Sequence, residues 1–431
     1  MRRFLAVRTG AVAAALGSSL LVAACTSSDS QLENPQSTTT LFEGARVITG
    51  TDTPPIENAT IVVDAGRILA VGPPASIAVA DGATHVSLAG KTVMPAIVDT
   101  HTHLSQTREA LVDDLRRRAY YGVAAALSLG QDKGDTVFDI RANPVPGVAL
   151  VRTAGRGITL PEPGRTDAPY WITTEAEGRQ AVRELASRKV DLVKIWVDDR
   201  NGQYKKLPPE LYTPIIDEAH AAGLRVTAHI FNLSDAKGLL RVGVDAFAHG
   251  IRDTDADDEV LALLKEKPAF VLVPNLPDRG VATDMSWLAA SLPADDLRRL
   301  QENAVDRPET KKAFDLQARN LAKLAAAGVT IALGTDGNTP WAPHAEMADM
   351  VAAGLTPAQV IVAATRNSAA FLRLDDLGTI APGKSADFLV LDANPLEDIT
   401  NTRRISAVYL KGTAIDRTTS PMRPAASKEG R

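Results

Sequence analysis

Two histidines separated by one residue close a short apolar run in this chain. Residues 93–104 read VMPAIVDTHTHL, with Asp99 just ahead of His101 and His103. Side chains alternate along a strand, so residues two apart leave the same face. Two imidazoles on one face at a strand end suit the grip on a single cation; the plainer alternative is two polar residues opening a loop. His229 falls at the end of LRVTAHIF, His249 at the end of VDAFAHGI, and Asp336 follows the apolar part of VTIALGTDG. Lys194 lies inside VDLVKIWVD, where burial favours the neutral amine over the ammonium. A neutral amine can take up carbon dioxide as an anionic carbamate able to bridge two cations. A lysine paired with Asp198 or Asp99 is the other reading of the same residue.

These residues need elements that bring them together, and the pattern supplies eight. The run at 93–104, then GVAAALSLG, GVALVRTAG, VDLVKIWVD, LRVTAHIF, VDAFAHGI, AFVLVPNL and VTIALGTDG each read as buried strands. Helical patterns such as EAEGRQAVRELASR and PELYTPIIDEAHAAG lie between them, with Gly223 as a helix stop. Eight β-then-α units over about 280 residues suit an α/β fold of the (β/α)8 TIM-barrel type, usually roughly 250 residues long. A doubly wound open sheet is the runner-up, but no Gly-rich phosphate loop follows the first strand. In a parallel barrel the C-terminal strand ends meet on one rim. His101, His103, His229, His249 and Asp336 would then point into one mouth, and together they argue for a metal site.

The flanks have a different texture. ARVITG, ATIVVDAGRILAVG and THVSLAG read as short strands, with a hairpin turn at Ala65-Gly66. LGTIAPGKSADFLVLDANP and RISAVYLKGTAI return to strand chemistry near the end. Short strands need partners, so residues 41–92 and 376–418 are expected to form one small β-sandwich domain, with the barrel at 93–375 inserted and 419–431 a disordered tail. Of the remaining histidines, His85 reads as a surface or packing residue and His220, in a helical segment, as packed or capping. His344 follows the eighth strand and has a surface or a substrate-facing role. Arg156, Tyr204, Arg252, Asn275 and Asn338 sit on predicted strand-to-helix loops, where each could meet a substrate or simply face water. Arg156 and Arg252 suit a carboxylate by charge.

A net charge of −5 gives no sign of nucleic-acid binding, and a single cysteine, Cys25, excludes an internal disulfide. Arg2 and Arg3 precede an apolar stretch at 4–24 that runs through Val22, Ala23 and Ala24 into Cys25. The pattern resembles a bacterial lipoprotein signal spanning 1–24, with lipid on Cys25 and a polar tether at 25–40; an ordinary secretory signal is the alternative. The paired arginines hint only weakly at twin-arginine export. Export to the cell envelope is expected, with the membrane touched only through that lipid and homo-oligomerisation left open.

Taken as a set, HTH at His101–His103, the Lys194 strand, His229, His249, GTD ending at Asp336 and the late GTIAPGKSADFLVLD resemble the amidohydrolase superfamily. The similarity is greatest to the imidazolonepropionase-like group that includes Xaa-Pro dipeptidases. The resemblance implies two divalent cations, zinc by preference. His101, His103 and Asp336 would bind one, His229 and His249 the other, and a carboxylated Lys194 would bridge them. It further implies attack of a shared hydroxide on the amide of a dipeptide or N-acyl amino acid, with Asp336 as acid–base group. Two rivals remain. One is a mononuclear cyclic-amide hydrolase, deaminase or lactonase on the same scaffold; the other is a surface lipoprotein that binds metal or solute without turnover.

Overall fold

The computed structural model describes residues 39–78 and 81–422. The proposed signal, Cys25 and most of the tether therefore lie outside the described residues. β1 (Thr40–Val47), β2 (Ile56–Asp64), β3 (Arg67–Gly72), β4 (Thr84–Ser87) and β5 (Thr92–Pro95) open the chain. Ala65 and Gly66 form the β2–β3 turn, both with positive φ (47° and 76°), which matches the twist that a two-residue hairpin needs.

Then follow β6 (Ile97–Thr102), β7 (Val123–Ser128), β8 (Leu150–Thr153), β9 (Ile158–Thr159) and β10 (Tyr170–Trp171). β11 (Val193–Val197), β12 (Val226–Ile230), β13 (Ala246–Ala248), β14 (Val271–Val273) and β15 (Thr330–Ile331) complete the middle of the chain. β16 (Phe388–Leu391), β17 (Ile405–Leu410) and β18 (Thr413–Ala414) close it.

All eight strands expected in the middle of the chain form. β9 and β10 are additional, and at two residues each they are too short to carry a hydrophobic period. The strands make two all-parallel sheets, β6-β7-β8 and β10-β9-β11-β12-β13-β14-β15, with helices between successive strands except from β8 through β10. Burial on both faces accounts for their unbroken apolar runs. The helix Glu175–Ser187 starts at a Thr174 capping box, and Pro209–Ala221 stops where Gly223 takes φ 72°.

The arrangement is TIM-barrel-like and α/β. As strands the two sheets stay separate, yet single backbone bonds cross both gaps. Asp191 N donates to Thr153 O at 2.9 Å, and Thr100 N donates to Leu333 O at 2.9 Å. Past β15 the chain keeps following β6: Thr335 and Asp336 both donate backbone N–H groups to His101 O (3.1 and 2.8 Å).

Strands from both chain ends do pair, as expected, but by hydrogen bonding they form one eight-stranded sheet in place of the two sheets of a sandwich. The order is β18-β17-β16-β5-β1-β2-β3, with β4 also on β1. The reason lies in β1. Its register shifts between Glu43 and Ala45, so residues 40–43 pair with β4 while Arg46 and Val47 pair with β5. Both halves share one core built on Phe42, Ile61, Val93 and Phe388. Of the stretch 419–431 expected to be a disordered tail, residues 419–422 are ordered: Ser420 Oγ donates to Ser291 O, and Met422 packs near Tyr120 and Tyr121; the rest lies outside the described residues. Among the described residues no helix is long and apolar enough to cross a membrane.

The sheet meets the parallel strands at Gly122, whose φ of 82° opens β7. A Cβ there would lie 2.2 Å from Leu389 Cδ2 on β16. Gly122→Ala should cost more than about 1 kcal/mol through both strain and overlap. A denaturant midpoint equal to that of the parent would show that this contact is slack.

Candidate metal and active site

His101 and His103 leave the end of β6, His229 lies in β12, His249 follows β13 directly, and Asp336 stands five residues beyond β15. Parallel order puts these strand ends on one rim, and the side chains meet there. Asp336 Oδ1 lies 3.1 Å from His101 Nε2 and 2.9 Å from His103 Nε2, while its Oδ2 lies 3.3 Å from His249 Nε2. The four rings run as a chain, with centroids 5.4 Å apart from His103 to His101, 5.2 Å from His101 to His249 and 4.5 Å from His249 to His229. His249, Asn275 and Asp336 all adopt positive φ (89°, 45° and 51°), strained backbone of the kind that clusters where function holds it.

Burial pushes the imidazoles toward the neutral form: His101 to about 4, His229 and His249 well below their ordinary value. Burial raises the Asp336 carboxyl, but a proton on any of His101, His103 or His249 outweighs that and holds it well below the usual carboxylate range, so the carboxylate keeps its charge. Asn275 Oδ1 accepts from His101 Nδ1 at 2.9 Å, so a neutral His101 turns the bare lone pair of Nε2 toward the Asp336 carboxylate. Two acceptors facing each other at 3.1 Å need a cation between them. His249 Nε2 and His103 Nδ1 are buried without a hydrogen-bond partner. His101, His249 and Asp336 offer ligand atoms within 4.8 Å of one another, so these residues fit a divalent ion. That set crosses the expected division, which placed His249 with His229.

Lys194, on β11, is completely buried, and its Nζ has no hydrogen-bond partner. Neither expected partner takes it. Asp99 is held by Arg118 (3.2 Å) and by the Thr335 hydroxyl (2.8 Å), and Asp198 by Arg200 (2.7 Å) and His229 (2.9 Å). Burial lowers the Lys194 ammonium to about 7. Its stem is enclosed by bare backbone: a Cβ at Gly130 would lie 2.9 Å from Lys194 Cγ and 2.6 Å from the Trp196 ring.

The candidate substrate residues divide. Arg252 has Nε and Nη2 buried without partners, and its charge reaches His229, His249 and Lys194. Asn275 orients His101 and keeps Nδ2 unpartnered. The structure turns the other four elsewhere. Arg156 is spent on the carbonyls of Ala168 and Pro169 and stacks on Tyr170, and Tyr204 donates to Pro163 O. Asn338 donates to Asp114 and accepts from Arg118. His344 is fully buried, donating from Nε2 to Tyr121 O with Nδ1 against Thr402. Burial of a loop polar group against carbonyls leaves no mark in sequence, which is why these four could not be separated from Arg252. His85 faces Glu43 and His220 faces Asp245, each at 2.9 Å.

Sequence reasoning considered Asp198 only as a partner for Lys194 and did not single out Arg200, although both abut His229, or Asp132, which accepts from Ser128 Oγ (2.7 Å), Thr153 Oγ1 and Gln106 Nε2. It also missed the brace under the rim. Arg118 reaches from the helix Arg108–Tyr120 to Asp99, with both side chains fully buried, and donates to Gly337 O at 3.0 Å. Asp99 Oδ1 in turn accepts from His101 N. The only sequence signal was an Arg on the buried face of an amphipathic helix.

A profile described as Amidohydrolase family matches residues 92–415. The imidazolonepropionase of Deinococcus radiodurans is 29% identical over 393 residues, covering 83% of this chain and 92% of its own. A Bifidobacterium longum protein provisionally described as a prolidase superposes with TM-score 0.74 at 27% identity, covering 90% of this chain and 96% of its own. Phenylurea hydrolase B reaches the same TM-score at 22% identity, covering 91% and 100%, a likeness of fold alone.

Arg118→Met should strand the buried Asp99 carboxylate and destabilise the protein by about 3–5 kcal/mol. The double variant with Asp99→Asn should recover much of that loss. Chemical denaturation of the three proteins decides; equal losses in the single and double variants would mean that the pair does not brace the rim.

Proposed function

The chain belongs to the amidohydrolase family, and from that premise we propose that it is a metal-dependent hydrolase of the amide C–N bond of a small substrate, such as a dipeptide or an N-acyl amino acid. In this reading the two parallel sheets act as a closed (β/α)8 barrel and the cluster is its mouth. The observation that carries the proposal is the placement of three imidazoles within 3.3 Å of one ionised carboxylate, two of them, His101 and His249, pushed toward the neutral form by burial. A pure binding protein has no need of that carboxylate as a proton carrier. Because fold likeness is equal for a protein described as a prolidase and for a phenylurea hydrolase, fold does not choose the substrate.

His101, His103, His249, Asp336 and His229 would hold one or two divalent ions, with Lys194 as an anionic bridge once carboxylated. When bound, such ions lower the pKa of water and polarise the scissile carbonyl. The chain's own residues do the rest. Asn275 fixes the ring and tautomer of His101. Asp336 is 37% exposed, more than His103 beside it (24%) and far more than the enclosed His101 and His249, so it is the group that meets substrate. Its carboxylate takes a proton from the attacking water and gives it to the leaving nitrogen as the C–N bond breaks. Lys194, uncharged above about pH 7, loses one proton as its Nζ bonds to the carbon of carbon dioxide. Zinc is the preferred metal on the strength of imidazole ligands. We further propose export and lipid attachment at Cys25, on the strength of the apolar segment before it.

Asp336→Asn should lower kcat by at least about 10²-fold while metal stays bound; near-normal kcat with full metal content would remove Asp336 from the reaction. The panel for that assay is dipeptides, N-acyl amino acids, cyclic amides and lactones. Turnover confined to cyclic amides or lactones would favour the mononuclear reading.

Lys194 gives a separate expectation. Its carbamate should be visible by carbon-13 NMR after incubation with labelled bicarbonate, growing from pH 6 to pH 8 as the ammonium deprotonates, and absent from Lys194→Ala. In the metal-free protein stability should rise with pH between about 7 and 10.5, since the unfolded chain binds a proton there that the folded chain refuses. Two metals per chain in Lys194→Ala by elemental analysis would refute the bridge.

A further inference from the structure

One cation beside the cluster has no anion of its own. Arg252 follows His249 by three residues, and its backbone N–H donates to Phe231 O at 2.9 Å, fixing it against the end of β12. The guanidinium carbon lies 5.7 Å from the centre of the Phe231 ring. No ion pair among the described residues includes it. Its neighbour Arg200, by contrast, is paired with Asp198 at 2.7 Å and Glu162 at 3.4 Å. The Nε and Nη2 atoms of Arg252 are buried and unpartnered. Those two N–H groups form one edge of the guanidinium plane, the edge that grips a carboxylate through two parallel hydrogen bonds. A buried charge left without hydrogen bonds is costly unless a ligand completes it.

We propose that Arg252 is the specificity-determining residue that receives the substrate's free carboxylate. The substrate class is then an N-acyl amino acid or a dipeptide with an ionised C-terminus, in preference to a neutral amide, urea or lactone. The inference rests on the amide-hydrolase reading but makes its own demand on the ligand. Arg252 is near enough to His229, His249 and Lys194 for its charge to be felt at all three, so the carboxylate it holds stands next to the reacting centre. Nothing comparable is offered by Arg156, whose Nε–Nη2 edge is occupied by the Ala168, Asp167 and Pro169 carbonyls. The remaining local anion that could claim the same edge is a carbamate on Lys194, and the experiment separates the two.

The test pairs each N-acetyl amino acid of a panel with its C-terminal amide. The parent enzyme should prefer the acid in kcat/KM, and the preference should fall roughly ten- to hundredfold in Arg252→Met, mainly through KM. Arg252→Lys, which keeps the charge and loses the fork, should fall between. Metal content and the carbon-13 carbamate signal should persist in both variants. A second readout needs no turnover: calorimetric titration of N-acetyl amino acids into metal-free Asp336→Asn protein, with and without Arg252→Met, should give tighter binding of acid than amide only when Arg252 is present. An unchanged acid preference in Arg252→Met overturns the proposal, as does loss of the carbamate signal with the preference intact, which would assign the edge to Lys194. Absence of turnover on every pair overturns the hydrolase reading instead, and the titration then still decides whether Arg252 binds carboxylates.

Discussion

Everything at the rim depends on one carboxylate being held among imidazoles, at 2.9–3.3 Å from three of them. Asp336 is placed by its backbone, whose N–H bonds to His101 O while φ sits at +51°. Its side chain thereby falls back onto the histidines of the first parallel strand. Non-glycine residues enter that backbone region at a cost of order 1–3 kcal/mol. The strain is offset by the network beneath it, in which Arg118 ties Gly337 and Asn338 to Asp99, and Asp99 ties to His101 and Thr335. The last strand and the first are thus locked through charged groups that water does not reach. Rigid placement of this kind is what a proton carrier and a ligand set need, because a displacement of about 1 Å removes much of the benefit of orientation.

Lys194 is governed by the opposite constraint, the lack of any hydrogen-bond partner for Nζ, which has only the Trp196 ring 5.4 Å away. Strands β7 and β9 approach its strand at Gly130 and Gly157, and a Cβ at Gly157 would sit 2.1 Å from the Trp196 ring. Bare backbone lets Trp196 and the lysine stem pack inward, and the packing strips water from Nζ. Desolvation then favours the amine. The same enclosure that makes a charged lysine costly makes room for a planar anionic group among cations, so the pocket's preference follows from its dryness.

The parts of this structure that were legible in sequence are those governed by period and spacing. Eight apolar runs ending in His101, His103, His229, His249 and Asp336 announced both a parallel fold and a meeting point, since strand ends on one rim are a consequence of connectivity. The β2–β3 turn and the Gly223 stop were legible because φ > 0 selects glycine. What stayed hidden depends on contacts between distant segments. β9 is too short to carry a period, and it exists only because β11 is beside it. The single eight-stranded sheet follows from a register shift at Gly44, where a sandwich was an equally good pairing of the same strands. Arg118 looked like any helix arginine, and its burial is decided by Asp99, 19 residues away. Arg156, Tyr204 and Asn338 were indistinguishable from Arg252 in sequence, because whether a loop donor is spent on a carbonyl is settled only in three dimensions.

That last distinction bears on how selectivity arises in such a centre. A cluster of ions and imidazoles attracts any polarised carbonyl, so the metal ligands alone do not choose among amides, ureas and lactones. Choice comes from a charge that the protein leaves uncompensated. On the His229 side two guanidiniums feel the charge of Asp198, and only Arg200 is paired with it. Removing Asp198's claim on Arg200 would spread one negative charge over two cations and weaken the demand for an outside anion. As built, the Asp198–Arg200 pair is closed, and the surplus is concentrated at one edge of Arg252. A neutral ligand leaves that edge unsatisfied and forfeits its hydrogen bonds, whereas a carboxylate satisfies both donors at once. Selectivity of this kind works by penalising the wrong ligand as much as by rewarding the right one.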